Sequence, residues 1–169
     1  DILFSACNWG NAKVETWARA CGVDMYRSTG DIFDSFESIR NLSESQKDKL
    51  GYSSAGCFND IDMLVCGMKG NGNVGENCGY TGCTDAQYRY HFALWCTMMS
   101  PLMIGCDIRN MDEATFKLLT NKAVIAINQD PRGCQPFPAH SEWFEINPNR
   151  GPDDFYYKNY FLDNPIIAK

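Results

Sequence analysis

Tyr26-Arg27-Ser28-Thr29-Gly30-Asp31-Ile32-Phe33-Asp34-Ser35-Phe36 is the stretch whose reading decides the fold. A short strand over 24–27 runs into small polar residues and a glycine. An aspartate follows, and a helix opens at Asp34 or Ser35. Gly30, lacking a Cβ, is expected to let the chain turn sharply and present Asp31 at the strand's C-terminal end. In a barrel of alternating strands and helices, catalytic residues gather on that face. Arg27 keeps its charge and offers a planar fork of donors suited to hydroxyls or a carboxylate. Asp31 also has a plainer reading, as a helix cap. The stretch alone leaves both open.

Outward from it the chain repeats one rhythm. Ile2 to Cys7 is a near-continuous apolar run, predicting a strand buried on both faces of a parallel sheet. Val14, Trp17, Ala18 and Cys21 follow at helical spacing, closed by Gly22. Beyond the central stretch, Phe33, Phe36, Ile39 and Leu42 form one helix face, with a polar continuation to Leu50. Ser54 to Val65 is a third loop and strand. The glycine-rich segment 67–82 is too long for a plain connection and reads as a loop covering a site. Thr84 and Gln87 form a capping box. The helix they start carries Tyr88, Phe92, Trp95 and Met99 as a core stripe, with a structural His91 beside it. Pro101 stops that helix. Leu102 to Cys106 is a fourth strand, ending in Asp107, which is read as fixing the next loop. Residues 111–119 are helical, and Asn121 caps a last helix that Asp130-Pro131 ends.

Such alternation predicts an α/β fold with a parallel sheet and right-handed crossovers. A complete eight-fold barrel takes roughly 250 residues, so 1–132 is expected to hold about four βα units of a TIM (β/α)8 barrel. That is a half-barrel, with a small open sheet as the alternative. Residues 133–169 read as an irregular C-terminal tail with one strand at best, over 155–161.

Hydrophobic residues make up 44% and charged residues 21%, which excludes a disordered chain. A formal charge of −6 disfavours nucleic acid and anionic membrane as partners. No apolar run is long enough to span a bilayer. The chain enters at Asp1 directly into an apolar run, as expected of a piece cut from something larger. Nine cysteines leave at least one unpaired within the chain. Cys66, Cys96 and Cys106 sit in apolar contexts, as small hydrophobes do. Cys78 and Cys83 are the only close pair and read as a loop clip, without the spacing of a zinc knuckle. Asp60 and Asp62 alternate along a strand and share a face. That suits a divalent cation, or a polar strand end bonding its neighbours or a sugar. The lack of further carboxylates nearby in sequence favours the second. No metal and no cofactor is expected.

Five motifs occur in order. They are Phe4-Ser5-Ala6-Cys7-Asn8-Trp9-Gly10, Arg27-Ser28-Thr29-Gly30-Asp31-Ile32, Asn59-Asp60-Ile61-Asp62-Met63-Leu64, Ser100-Pro101-Leu102-Met103-Ile104-Gly105-Cys106-Asp107-Ile108, and Val124-Ile125-Ala126-Ile127-Asn128-Gln129-Asp130-Pro131. Singly each is weak, but in register they form a specific signal. Together they closely resemble the second half of the catalytic barrel of the alpha-galactosidases of glycoside hydrolase family 27.

The resemblance implies a retaining hydrolase of terminal α-linked galactose that works with two aspartates. Asp31 matches the general acid/base. Arg27 matches the arginine near the galactose 2-hydroxyl. Trp9, Asp62 and Met63 match positions lining the sugar pocket, with Asp60 in the same loop. Asn8 stands where many members carry glutamate. An amide still bonds a 2-hydroxyl, but without charge. Cys7 and Cys21 match cysteines that some members join in a disulfide. The tail after Cys134 matches no part of the family's C-terminal β-sandwich. The strand carrying the nucleophilic aspartate is expected before Ile2 and is not in this chain. Retaining hydrolysis needs two carboxyls about 5 Å apart, so the isolated chain is expected to be inactive.

A rival reading is a stand-alone half-barrel that binds sugar without cleaving it. A different α/β enzyme or a cysteine-rich metal module stands further back. The partners expected are a galactoside and, at the edge strands Ile2–Cys7 and Leu102–Cys106, either the missing N-terminal half-barrel or a second copy.

Overall fold

A computed structural model describes residues 2–136 apart from 48 and 50. The readings made for the tail beyond 136 lie outside the described residues. Three short parallel strands stand in sequence order: β1 (Ser5–Cys7), β2 (Met25–Arg27) and β3 (Phe58–Asp60). The register pairs Cys7 with Arg27 and Arg27 with Asp60, so these three form one row at the C-terminal ends of the strands. Parallel neighbours in register present their side chains to the same face.

A parallel bridge between Leu64 and Ile104 continues the order. Leu64 N donates to Met103 O at 2.7 Å and Gly105 N to Leu64 O at 2.9 Å. The fourth strand expected over Leu102–Cys106 is therefore reduced to a single bridge. Pro101 has no N–H, and Met103 N bonds back to Pro101 O at 3.1 Å, which removes that amide from a ladder.

Four α-helices pack behind the strands: α1 (Phe36–Glu44), α2 (Asp85–Thr97), α3 (Glu113–Leu119) and α4 (Lys122–Asn128). Each begins at a side-chain cap. Ser35 accepts from Ser38 N, Asp112 from Thr115 N, Asn121 from Ala123 N, and Thr84 and Gln87 close the expected box. Such caps satisfy amides that the helix itself leaves without partners. α1 stops at Glu44, and residues 45–47 form a turn, so the expected continuation is not helical there. α2 turns Tyr88, His91, Phe92, Trp95 and Cys96 inward and packs against the other three helices. With Ile32, Ile39, Ile61, Leu64 and Val65 these residues make the main core. Val14, Ala18, Val23, Tyr26 and Cys57 form a second cluster under β1 and β2.

Behind the sheet lies a buried polar knot. Gln46, fully buried, accepts through Oε1 from Ser28 Oγ at 3.1 Å and from Asn59 Nδ2 at 2.6 Å.

Three further expectations are corrected. Ile2, Leu3 and Phe4 are 93%, 67% and 51% exposed, because β1 is the edge of the described sheet and pairs only with β2. The segment 11–21 forms two short 3-10 turns, Asn11–Thr16 and Arg19–Cys21, not one α-helix. Ala12 and Lys13 stand at φ 54° and 50°, a left-handed conformation that breaks an α-helical hydrogen-bond ladder. Gly22 still closes the segment, at φ 72°. Finally, Gly30 does not adopt a positive φ, and a Cβ there would meet open space. The turn before Asp31 is made by hydrogen bonds instead.

Candidate active site

Arg27 organises the cluster at the end of β2. Its Nε donates to Thr29 Oγ1 at 3.1 Å, and Thr29 Oγ1 donates to Ile61 O at 3.0 Å. Its Nη2 donates to Gly30 O at 2.8 Å and to Asp31 Oδ1 at 3.2 Å, and it also pairs with Asp62 Oδ2. None of the described residues takes a bond from its Nη1. One guanidinium thus folds the 28–31 turn around itself, which explains why the glycine is not needed for its shape.

Asp31 has a side chain 66% exposed, held among the described residues only by Arg27. It does not cap α1, whose cap is Ser35. The carboxyl therefore faces solvent beside a fixed cation at the C-terminal end of a parallel strand.

Asp62 is enclosed, with a side chain 13% exposed. Oδ2 also accepts from Ile32 N at 2.6 Å, and Oδ1 from Met63 N at 2.6 Å. Asp62 N donates to Asp60 Oδ1 at 2.9 Å. Burial pushes both carboxyls above the ordinary range, against the pull of these amides and of Arg27, and the charge of Asp31 pushes Asp62 further the same way. Asp60 and Asp62 thus bond their neighbours at the strand end, and Asp62 also pairs with Arg27.

Asn8 and Trp9 reach the same region through a tight turn. Gly10 stands at φ 76°, its amide bonds Arg27 O at 3.2 Å, and a Cβ there would lie 2.3 Å from Ser28 O. Only glycine lets that turn approach β2 so closely. Trp9 is 60% exposed. Asn8 donates from Nδ2 to Asn11 O at 2.7 Å, while its buried Oδ1 has no partner among the described residues.

Met63 packs on Gly105, where a Cβ would fall 2.7 Å from its sulfur. With Met68, Gly72, Asn73, Val74 and Gly105 it lines a cavity of about 360 Å³ under the glycine-rich loop. A larger groove, lined by Ile104, Ile108, Met111, Phe116 and Leu119, touches none of these residues.

The sequence reading missed the residues that hold the loops. Fully buried Asp34 accepts from Gly70 N at 2.7 Å and from Tyr88 Oη at 2.9 Å, tying the glycine-rich loop to the segment after Asp31. Trp95 Nε1 donates to Asp62 O at 2.7 Å. Tyr88 and Trp95 were legible as core, but nothing local in the sequence marks their polar ends. His91 is buried beside Trp95, ring centroids 4.2 Å apart, and accepts from Val65 N at 3.1 Å. All nine cysteines are free thiols, so neither Cys78–Cys83 nor Cys7–Cys21 is joined. Asp107 fixes its own loop, accepting from Arg109 N at 3.0 Å and pairing with the Arg109 guanidinium.

Comparison with known proteins shows what the whole described fold resembles. The family profile described as alpha galactosidase A, a melibiase profile, matches residues 3–130. Alpha-galactosidase 2 of Arabidopsis thaliana is 42% identical over 135 residues, covering 80% of this chain and 31% of that protein. The alpha-galactosidase of Coffea arabica is 44% identical over 135 residues, 80% of this chain and 32% of that one. A solved structure from Bacteroides fragilis, described as an alpha-galactosidase/melibiase, superposes with a TM-score of 0.80 at 41% identity. It is covered to 31% of its length by 83% of this chain. The chain thus spans about a third of the length of the curated relatives it matches. With the matched profile reaching from the first strand to the end of α4, the chain belongs to the alpha galactosidase A, or melibiase, family of glycoside hydrolases.

Proposed function

We propose that this chain supplies the acid/base half of a retaining alpha-galactosidase that removes terminal α-linked galactose. The observation carrying this is the exposed Asp31 carboxyl, fixed 3.2 Å from Arg27 at the C-terminal end of a parallel strand. In this reading Asp31 protonates the departing glycosidic oxygen and then takes a proton from the incoming water. Arg27 offers its spare Nη1 to the sugar hydroxyls. Asn8 presents its unpartnered Oδ1 to the 2-hydroxyl, since a buried acceptor without a partner is a site for a ligand donor. Trp9 gives the ring an exposed flat face, and Asp60, Asp62 and Met63 form the remaining wall.

The nucleophile comes from outside these 169 residues. Asp62 already accepts from two amides and a guanidinium, and Asp60 Oδ1 from the Asp62 amide, which supports structural roles for both carboxyls. Residues 1–132 act as about four units of a (β/α)8 barrel. The ordered parallel strands and the Leu64–Ile104 bridge support that arrangement. The exposed Ile2, Leu3 and Phe4 on one flank, and Met103 and Ile104 on the other, support cover by the remaining barrel half or a second copy.

The test uses a 2-fluoro-galactoside that traps the glycosyl-enzyme of the full-length polypeptide carrying this chain. The label is expected on an aspartate outside residues 1–169. A label on Asp31, Asp60 or Asp62 would overturn the assignment.

A further inference from the structure

Asp62 stands at φ 100°, a conformation that side chains with a Cβ avoid. Such a backbone persists only where its surroundings over-determine it. Here the amide is held by Asp60 Oδ1 at 2.9 Å, and the carbonyl accepts the Trp95 indole Nε1–H at 2.7 Å. Trp95 is fully buried on α2 and braced edge-on by His91, so its donor cannot swing away. On the other side, the Asp62 carboxylate takes Ile32 N at 2.6 Å and pairs with Arg27. Ile32 is fully buried and directly follows Asp31.

We infer that Trp95 is a positioning residue for the acid/base. Through the Asp62 carbonyl, its indole N–H holds the strained backbone whose carboxylate fixes Ile32 and Arg27, and so aims Asp31. Without that donor Asp62 relaxes, its carboxylate leaves the Ile32 amide, and Asp31 moves with the loop. Displacements of about 1 Å at a reacting group lower rates by up to about 10²-fold. The inference rests on the reading of Asp31 as the acid/base.

Trp95→Phe in the full-length polypeptide keeps an aromatic ring and removes the donor. kcat/KM is measured on a dinitrophenyl galactoside, which leaves without help, and on an alkyl galactoside, which needs a proton. The expected result is a loss of roughly tenfold or more on the alkyl substrate and a clearly smaller one on the dinitrophenyl substrate, which registers only the shift of Arg27 and Asp62 at the sugar. Hydrogen exchange at the Ile32 and Met63 amides should quicken. A general loss of packing lowers both substrates together and does not produce this split.

Asp31→Asn is measured alongside. Equal loss on both substrates there sinks the acid/base reading itself. A split for Asp31→Asn with none for folded Trp95→Phe overturns the role of Trp95 and leaves Asp31 standing. If Trp95→Phe fails to fold, benzothienylalanine at position 95 keeps the indole shape without its N–H. The same split supports the inference, and its absence refutes it.

Discussion

Replacing Tyr88 with Phe should destabilise the fold by an amount the structure specifies. The hydroxyl is 2.9 Å from Asp34 Oδ2, accepts from Lys69 N at 2.7 Å and sits 3.3 Å from Cys83 N. Tyr88 is 1% exposed and Asp34 fully buried, so solvent is poorly placed to replace the lost oxygen. Three net hydrogen bonds of about 1 to 1.5 kcal/mol each, the one to the carboxyl at the upper end, give a loss of about 3 to 4 kcal/mol. The assay is equilibrium denaturant unfolding of the parent chain, Tyr88→Phe, Asp34→Asn and the double variant. The two single losses should fail to add by at least about 1 kcal/mol, since both act on one network. The Lys69, Gly70 and Cys83 amides should also exchange faster. A Tyr88→Phe loss within about 0.5 kcal/mol, the range of ordinary surface changes, would refute the claim that this hydroxyl ties the glycine-rich loop and α2 to the segment before α1.

Gly10→Ala should destabilise by about 1 to 3 kcal/mol, because φ 76° and the contact with Ser28 O both oppose a Cβ. Gly30→Ala should stay within about 0.5 kcal/mol in the same unfolding assay. Burial pushes His91 down to about 3, so between pH 6.5 and that value the unfolded chain binds a proton that the native chain does not. The His91 contribution to stability should therefore be level above pH 6.5 and fall on acidification by roughly 1.4 kcal/mol per unit, so that His91→Gln removes that part of the slope. Native thiol labelling should reach exposed Cys7, Cys21, Cys78 and Cys134 quickly. Buried Cys57, Cys66 and Cys96 should react only after unfolding, and protection of Cys7 and Cys21 would indicate a bridge between them.

The parts legible in the sequence were those with a short-range cause. Thr84 and Gln87 announce α2 because a capping box is written within four residues. Asn121 and Ser35 do the same for α4 and α1. The Asp31–Arg27 contact was also within reach, being four residues apart at a strand end. What failed depended on which partners each residue finds in the fold, near or far along the chain. An apolar run such as Ile2–Phe4 is equally at home in a buried strand or at an edge awaiting cover, and composition does not tell them apart. Gly30 looked like the hinge because glycine permits a turn, yet Arg27 and Thr29 bend the chain there with ordinary angles. The grip of Trp95 on Asp62 joins residues 33 apart, and a tryptophan in an apolar stripe gives no hint of where its nitrogen points.

The Gln46 knot has a consequence for how the strands are indexed. Sliding β3 by one residue against β2 would exchange its two faces, sending Asp60 toward the helices and Asn59 toward the side that carries Arg27. Backbone pairing alone tolerates such a slip, since every amide finds a new carbonyl. Gln46 does not tolerate it. Its one oxygen reaches Ser28 and Asn59 together only in the native setting, and any other strands buried polar groups. A glutamine on the far side of the sheet thus acts as an indexing pin, keeping Arg27 and Asp60 abreast without touching either.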